Sequence, residues 1–187
     1  CTSETAPAPT APAATAATPA TSPPAPTSAA PTEPSIEKIT TPPAVPIDLK
    51  TPGKVGSKAA VEYFVALYGY TLNTGDTSLL RAASTETCEF CETYAAGTES
   101  FHASGSTAVG GDVTIEFMKL HDQESTENRH VWIVELAFSP RRATAPGGEV
   151  QEDPAQTETT AIMAVWTGDA WKIGKHFAVK VEGDPTP

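Results

Sequence analysis

No apolar run in this sequence is long enough to cross a bilayer as a helix. A spanning helix needs about 20 consecutive, mostly apolar residues. The longest strongly apolar stretch, Ala161-Ile162-Met163-Ala164-Val165-Trp166, has the length of a strand. Basic residues are also scarce: 12 Lys and Arg stand against 23 Asp and Glu, for a formal net charge of −11. No basic cluster exceeds Arg141-Arg142. Such a field repels phosphate backbones and anionic headgroups, which argues against nucleic acid as a partner. There are three cysteines, Cys1, Cys88 and Cys91, and no second C-x-x-C to complete a zinc site. His102, His121, His130 and His176 are scattered, with no pair at the i+3 or i+4 spacing that would put two imidazoles on one helical face. Gly110-Gly111 and Gly147-Gly148 do not sit between a strand and a helix, as a phosphate-cradling loop requires. No metal and no cofactor is expected.

Proline, by contrast, is abundant and unevenly placed. Of 18 prolines, 13 precede Gly53. Residues 1–49 consist almost wholly of Ala, Pro, Thr, Ser and Glu, and one lysine against Glu4, Glu33, Glu37 and Asp48 gives them a net charge of −3. A segment with so little apolar bulk cannot offset the entropy of ordering itself, so residues 1–52 are expected to form a disordered, polyproline-like stalk. Fully extended, it would reach on the order of 150 Å. Its Thr, Ser and Pro content resembles O-glycosylated stalks. Residues 53–181 then form a single domain, and 182–187 a tail. About 130 residues are enough for one core that buries roughly two thirds of the unfolded surface.

A chain beginning with Cys rather than Met reads as a product whose export signal has been removed. Cys1 at the head of such a stalk resembles the mature end of bacterial lipoproteins, in which that sulfur carries diacylglycerol. The resemblance implies lipidation at Cys1 and a domain tethered to the outer face of the cell membrane, two acyl chains being enough for stable anchoring.

The folded part reads as helices followed by strands. Ser57 to Asn73 carries Val61, Phe64, Val65, Tyr68 and Leu72 at helical spacing, with Ser57 as the expected N-cap and Gly75 as the stop. A short helix capped by Asp76 should come next, and a third from Thr87 to about Gly97. After Gly110-Gly111 the period becomes two. Val113, Ile115 and Phe117 mark one strand and His130 to Ser139 a second, while Thr159 to Trp166 and Ala170 to Phe177 form a hairpin across Thr167-Gly168-Asp169. Arg141 to Gln156, rich in Gly, Pro and acids, reads as a mobile loop.

Ala60-Val61-Glu62-Tyr63-Phe64, Asn73-Thr74-Gly75-Asp76, Cys88-Glu89-Phe90-Cys91 and Trp166-Thr167-Gly168-Asp169-Ala170-Trp171 together resemble an actinobacterial lipoprotein family of unknown function. The order of elements is similar to NTF2-like, cystatin-like domains. That likeness implies an α+β cone, with N-terminal helices packed on a curved antiparallel sheet and a pocket between long helix and sheet. The fold hosts enzymes and binders alike.

Cys88 and Cys91 could form a structural disulfide, a thiol-disulfide exchange pair or, least favoured, a metal site. Glu86, Glu89 and Glu92 disfavour a thiolate there, and an exported domain holds such pairs oxidised, which favours the disulfide. Glu116, Glu135 and His176 lie within strands and would be polar groups in an apolar pocket if they faced the cone. Isomerase-like relatives of the fold use such an acid to move a proton next to a carbonyl. The leading reading is an envelope binding module, taking a small apolar ligand or another envelope protein. An isomerase, dehydratase or hydrolase using a pocket carboxylate or His, and a thiol-disulfide exchanger, are the alternatives. No motif speaks to oligomeric state.

Overall fold

The computed structural model describes residues 36–178. Cys1, the stalk up to residue 35 and the tail 182–187 lie outside the described residues.

Three helices come first: α1 (Lys54–Thr74), α2 (Ser78–Ala83) and α3 (Glu89–Ala103). The apolar series expected for α1 is there, and Val61, Phe64, Val65 and Tyr68 are all buried. The helix stops at Gly75, which takes the left-handed conformation at φ 77° and donates its N–H to the Thr71 carbonyl. Its start lies earlier than expected. Gly53 precedes the first turn, and Ser57, anticipated as the cap, is inside the helix and fully buried. The Ser57 hydroxyl lies 2.6 Å from His130 Nδ1 and accepts from Trp132 Nε1 at 3.2 Å, so a tertiary polar contact has taken the side chain that local rules assign to capping. The N-cap of α2 is Thr77 rather than Asp76, although Asp76, one residue earlier, accepts from the Ser78 N–H at 3.0 Å. Cys88 is the N-cap of α3, and its sulfur accepts from the Cys91 N–H at 3.3 Å.

Two antiparallel sheets complete the fold. The larger has the order β2 (Val113–Leu120), β3 (Arg129–Phe138), β6 (Gln156–Trp166), β7 (Trp171–Ala178). The smaller has the order β1 (Thr107–Gly110), β4 (Arg141–Thr144), β5 (Val150–Asp153). The segment read as a mobile loop is thus a hairpin. Its strands pair Arg141 with Asp153 and Arg142 with Glu152, and both pairs are salt-bridged. Its polar composition concealed this, because it is a surface hairpin with little to bury. A bulge interrupts β2 between Ile115 and Phe117, leaving Glu116 as the extra residue. The bulge reverses the faces of the later β2 residues, so Phe117, expected inward with Val113 and Ile115, is 52 % exposed while Met118 and Leu120 pack against the core.

The core lies between α1 and the larger sheet, around Phe64, Leu67, Leu136, Ile162, Trp171 and Ile173. Residues 36–51, expected to belong to the stalk, are tied into the domain. The Ile39 N–H donates to Asn73 Oδ1 (3.1 Å), the Gly110 N–H to the Glu37 carbonyl (3.0 Å), and Trp171 Nε1–H to the Thr51 carbonyl (3.0 Å). The chain passes so close that a Cβ on Gly56 would sit 1.9 Å from the Thr51 oxygen, and one on Gly110 2.4 Å from Ile36 Cγ2. Ile36, Ile39 and Leu49 supply apolar side chains that residues 1–35 lack.

Candidate functional site

A cavity of about 210 Å³ opens between α1, the start of α3 and the concave face of the larger sheet. Its walls are aromatic: Tyr68 from α1, Phe90 and Tyr94 from α3, and Phe138 from the end of β3. The rings of Tyr68 and Tyr94 lie 5.0 Å apart, and the Tyr94 hydroxyl donates to the Tyr68 carbonyl at 3.0 Å. Phe90, 37 % exposed, closes the rim edge-on to the imidazole of His176 at 4.0 Å between centroids.

His176 comes from β7, opposite Ile162 on β6, and so faces the helices. Its Nδ1 lies 3.0 Å from the Tyr68 hydroxyl, a hydrogen bond whose direction depends on the imidazole tautomer. Burial lowers the imidazole to about 4, which keeps it neutral at physiological pH. Burial, the neighbouring Tyr94 and the Glu158 carboxylate push the Tyr68 phenol well up, and burial takes Tyr94 to about 12. Both phenols therefore stay protonated. In either tautomer the neutral pair leaves one ring nitrogen, Nε2, outside its own hydrogen bond.

Glu116 and Glu135 do not join this set. Glu116 is the exposed bulge residue of β2. Glu135 is exposed between the buried Val134 and Leu136, on the face turned away from α1. Two carboxylates line the cavity: Asp153, ion-paired with Arg141, and Glu158, which pairs across the strands with Leu136 and so shares its face. The position of Glu158 was readable: Thr160, Ile162 and Ala164 are the inward set of β6, and Glu158 continues that alternation. Tyr68 carried a weaker signal, as the phenol in an apolar helical series whose hydroxyl needs a partner once buried.

Cys88 and Cys91 are at disulfide distance, with Cα atoms 5.2 Å apart. Only 1 % and 2 % of the two residues is exposed, so an external thiol has no path to either sulfur and the exchange reading loses its support. Two of the other histidines serve structure: His102 Nε2 lies 2.8 Å from the Leu72 carbonyl, and His130 stacks on Trp171. His121 Nδ1 is buried without a hydrogen-bond partner. Among the described residues, no group of three His, Cys, Asp or Glu side chains could hold a metal ion.

A long helix and two shorter ones laid against a bulged antiparallel sheet, with a cavity between them, define an α+β fold of helices packed on antiparallel sheets. Within that class the chain belongs to the family described as "Family of unknown function (DUF6318)", whose match covers residues 40–176. No curated protein matches the chain. Among solved structures, the intermembrane space region of the chloroplast protein ARC6 is similar at 13 % identity and TM-score 0.50, over 65 % of this chain and 94 % of that one. An uncharacterized protein with a cystatin-like fold from Caulobacter vibrioides aligns at 10 % identity and TM-score 0.41, over 64 % and 86 % of the two chains. An NTF2-like protein with a cystatin-like fold from Novosphingobium aromaticivorans aligns at 12 % and 0.41, over 68 % and 84 %.

Proposed function

We propose that this protein is a lipid-anchored module of the bacterial cell envelope whose cavity holds a small, largely apolar ligand. The observation that carries the reading is the aromatic-walled cavity with the neutral Tyr68–His176 pair inside it, the charged groups of its wall being Glu158 and the Arg141–Asp153 ion pair. A cavity of roughly 150 Å³ takes a benzene ring, so the 210 Å³ here has room for a somewhat larger molecule. The rings of Tyr68, Phe90 and Tyr94 supply its contact surface. The Tyr68–His176 pair supplies one orienting hydrogen bond. Cys1 and the Pro-rich segment behind it support the anchoring half of the proposal.

The test is calorimetric titration of the full chain with 2-naphthol. The expected result is saturable one-to-one binding that is lost in Gln156→Trp, where an exposed residue at the cavity wall is replaced by a ring that fills the space. No saturation, or undiminished binding by a folded variant, overturns the reading. Mass spectrometry of the protein from its native membrane should find diacylglycerol on Cys1. An unmodified cysteine would overturn the anchoring half of the proposal.

One observation favours a second reading. The Glu158 carboxylate bears on the buried Tyr68–His176 pair, an acid beside a proton-carrying pair of the kind an isomerase or dehydratase needs. Turnover abolished by Tyr68→Phe with ligand binding intact would establish it.

A further inference from the structure

The aromatic cavity has a neighbour. A groove of about 370 Å³ runs between α3 and the smaller sheet, floored by Phe101, Ala108 and Ala143. Four residues line both spaces: Leu72, Tyr94, Arg141 and Asp153. The partition between them is thus the Tyr94 ring and the Arg141–Asp153 ion pair, whose side chains are partly exposed. Among the described residues these two are the only charged groups in the groove wall, and each neutralises the other. Gly97 also lines the groove. It stands in the middle of α3, where glycine costs about 1 kcal/mol relative to alanine, yet a Cβ there would meet nothing within 4 Å. Packing does not require this glycine. The position is exposed, and it opens onto the groove.

We propose that cavity and groove are one cleft for a single unbranched hydrocarbon chain, such as that of a fatty alcohol or a single-chain lipid. Its polar end lies at the Tyr68–His176 pair and its tail passes Tyr94 to lie beneath the β4–β5 hairpin. This rests on the ligand-binding reading above and specifies the ligand. A compact ring system would fill the inner cavity and leave the groove to water. By the benzene comparison, roughly eight carbons fill the inner space alone, and only a flexible chain can turn past Tyr94 to use the rest. A branched or multi-ring ligand would have to displace Tyr94, whose hydroxyl is held by the Tyr68 carbonyl.

The experiment is titration of the full chain with n-alkanols from hexanol to dodecanol. Each buried methylene should tighten binding about fourfold, the equivalent of about 0.8 kcal/mol. The proposal expects that gain to continue through dodecanol. A plateau at about octanol, with short chains binding well, overturns the extended cleft while leaving the inner cavity as a ligand site. Failure of hexanol and octanol alike, with 2-naphthol also unbound, overturns both. Gly97→Leu fills the groove with a good helix former, so it should leave hexanol unchanged and return dodecanol to the octanol level. Ala143→Trp, from the opposite wall, should do the same. Equal weakening of short and long alcohols in both variants, or no effect on dodecanol in either, overturns the proposal.

Discussion

At the scale of single residues, His176 joins stability to the site. In the unfolded chain a histidine titrates near 6.5, whereas burial holds His176 at about 4 in the fold. The unfolded chain therefore takes up a proton at a pH where the folded chain does not. Stability is fully present above about pH 6.5 and declines as pH falls toward 4, by at most about 3 kcal/mol. His130, lowered by burial and by Lys54, acts in the same direction. Glu99 and Asp153 are held below the ordinary carboxylate range by Thr77 and Arg141 respectively, so their losses begin only below about pH 4.5. The window from 6.5 to 4.5 thus belongs to the histidines. Urea midpoints at pH 7, 6 and 5 should fall steadily, and His176→Phe should flatten much of that slope. A slope unchanged in the variant would remove His176 as its source. In the sequence, His176 was visible as a strand histidine. Tyr68 and Glu158 were not recognised with it, because their grouping needs the helix and two strands set in register.

At the scale of elements, the first turn of α3 carries Cys88, Phe90 and Cys91 together, so the cysteine pair fixes the turn from which Phe90 covers His176. The loop it closes is short, and its stabilisation should lie at or below the low end of the usual range, about 2 kcal/mol. Cys91→Ala should fold with its denaturation midpoint lowered by that order. Failure to fold, or an unchanged midpoint, would contradict this role. Long periodic elements such as α1, β3 and the β6–β7 hairpin were legible, since each buries one regular face. The start of α1 was misplaced because Ser57 lies inside the first turn, donating to the Lys54 carbonyl while it meets His130 and Trp132, partners that only the tertiary structure brings to it. The bulge at Glu116 had no local signal, because an extra residue shows only against the strand it pairs with.

At the scale of the molecule, the domain begins before the residue at which the proline content falls. A chain starting at Ile36 should unfold at the same temperature as the full protein. One starting at Gly53 should lose about 3 kcal/mol or more, because the Asn73, Trp171 and Gly110 partners in residues 36–51 go with the segment, and buried groups left unpaired cost about 1–3 kcal/mol each. Equal stability of the two would show the segment to be a passenger.

The lack of a long apolar run, the acidic balance, the helices-then-strands order and the pairing of Cys88 with Cys91 were all legible in the sequence alone. Each depends on composition or on spacing within one element. The cavity, the groove beside it and the removal of Glu116 and Glu135 from the site in favour of Glu158 were decided only by tertiary structure. They depend on which face of each strand meets α1, and a single bulge is enough to reverse that.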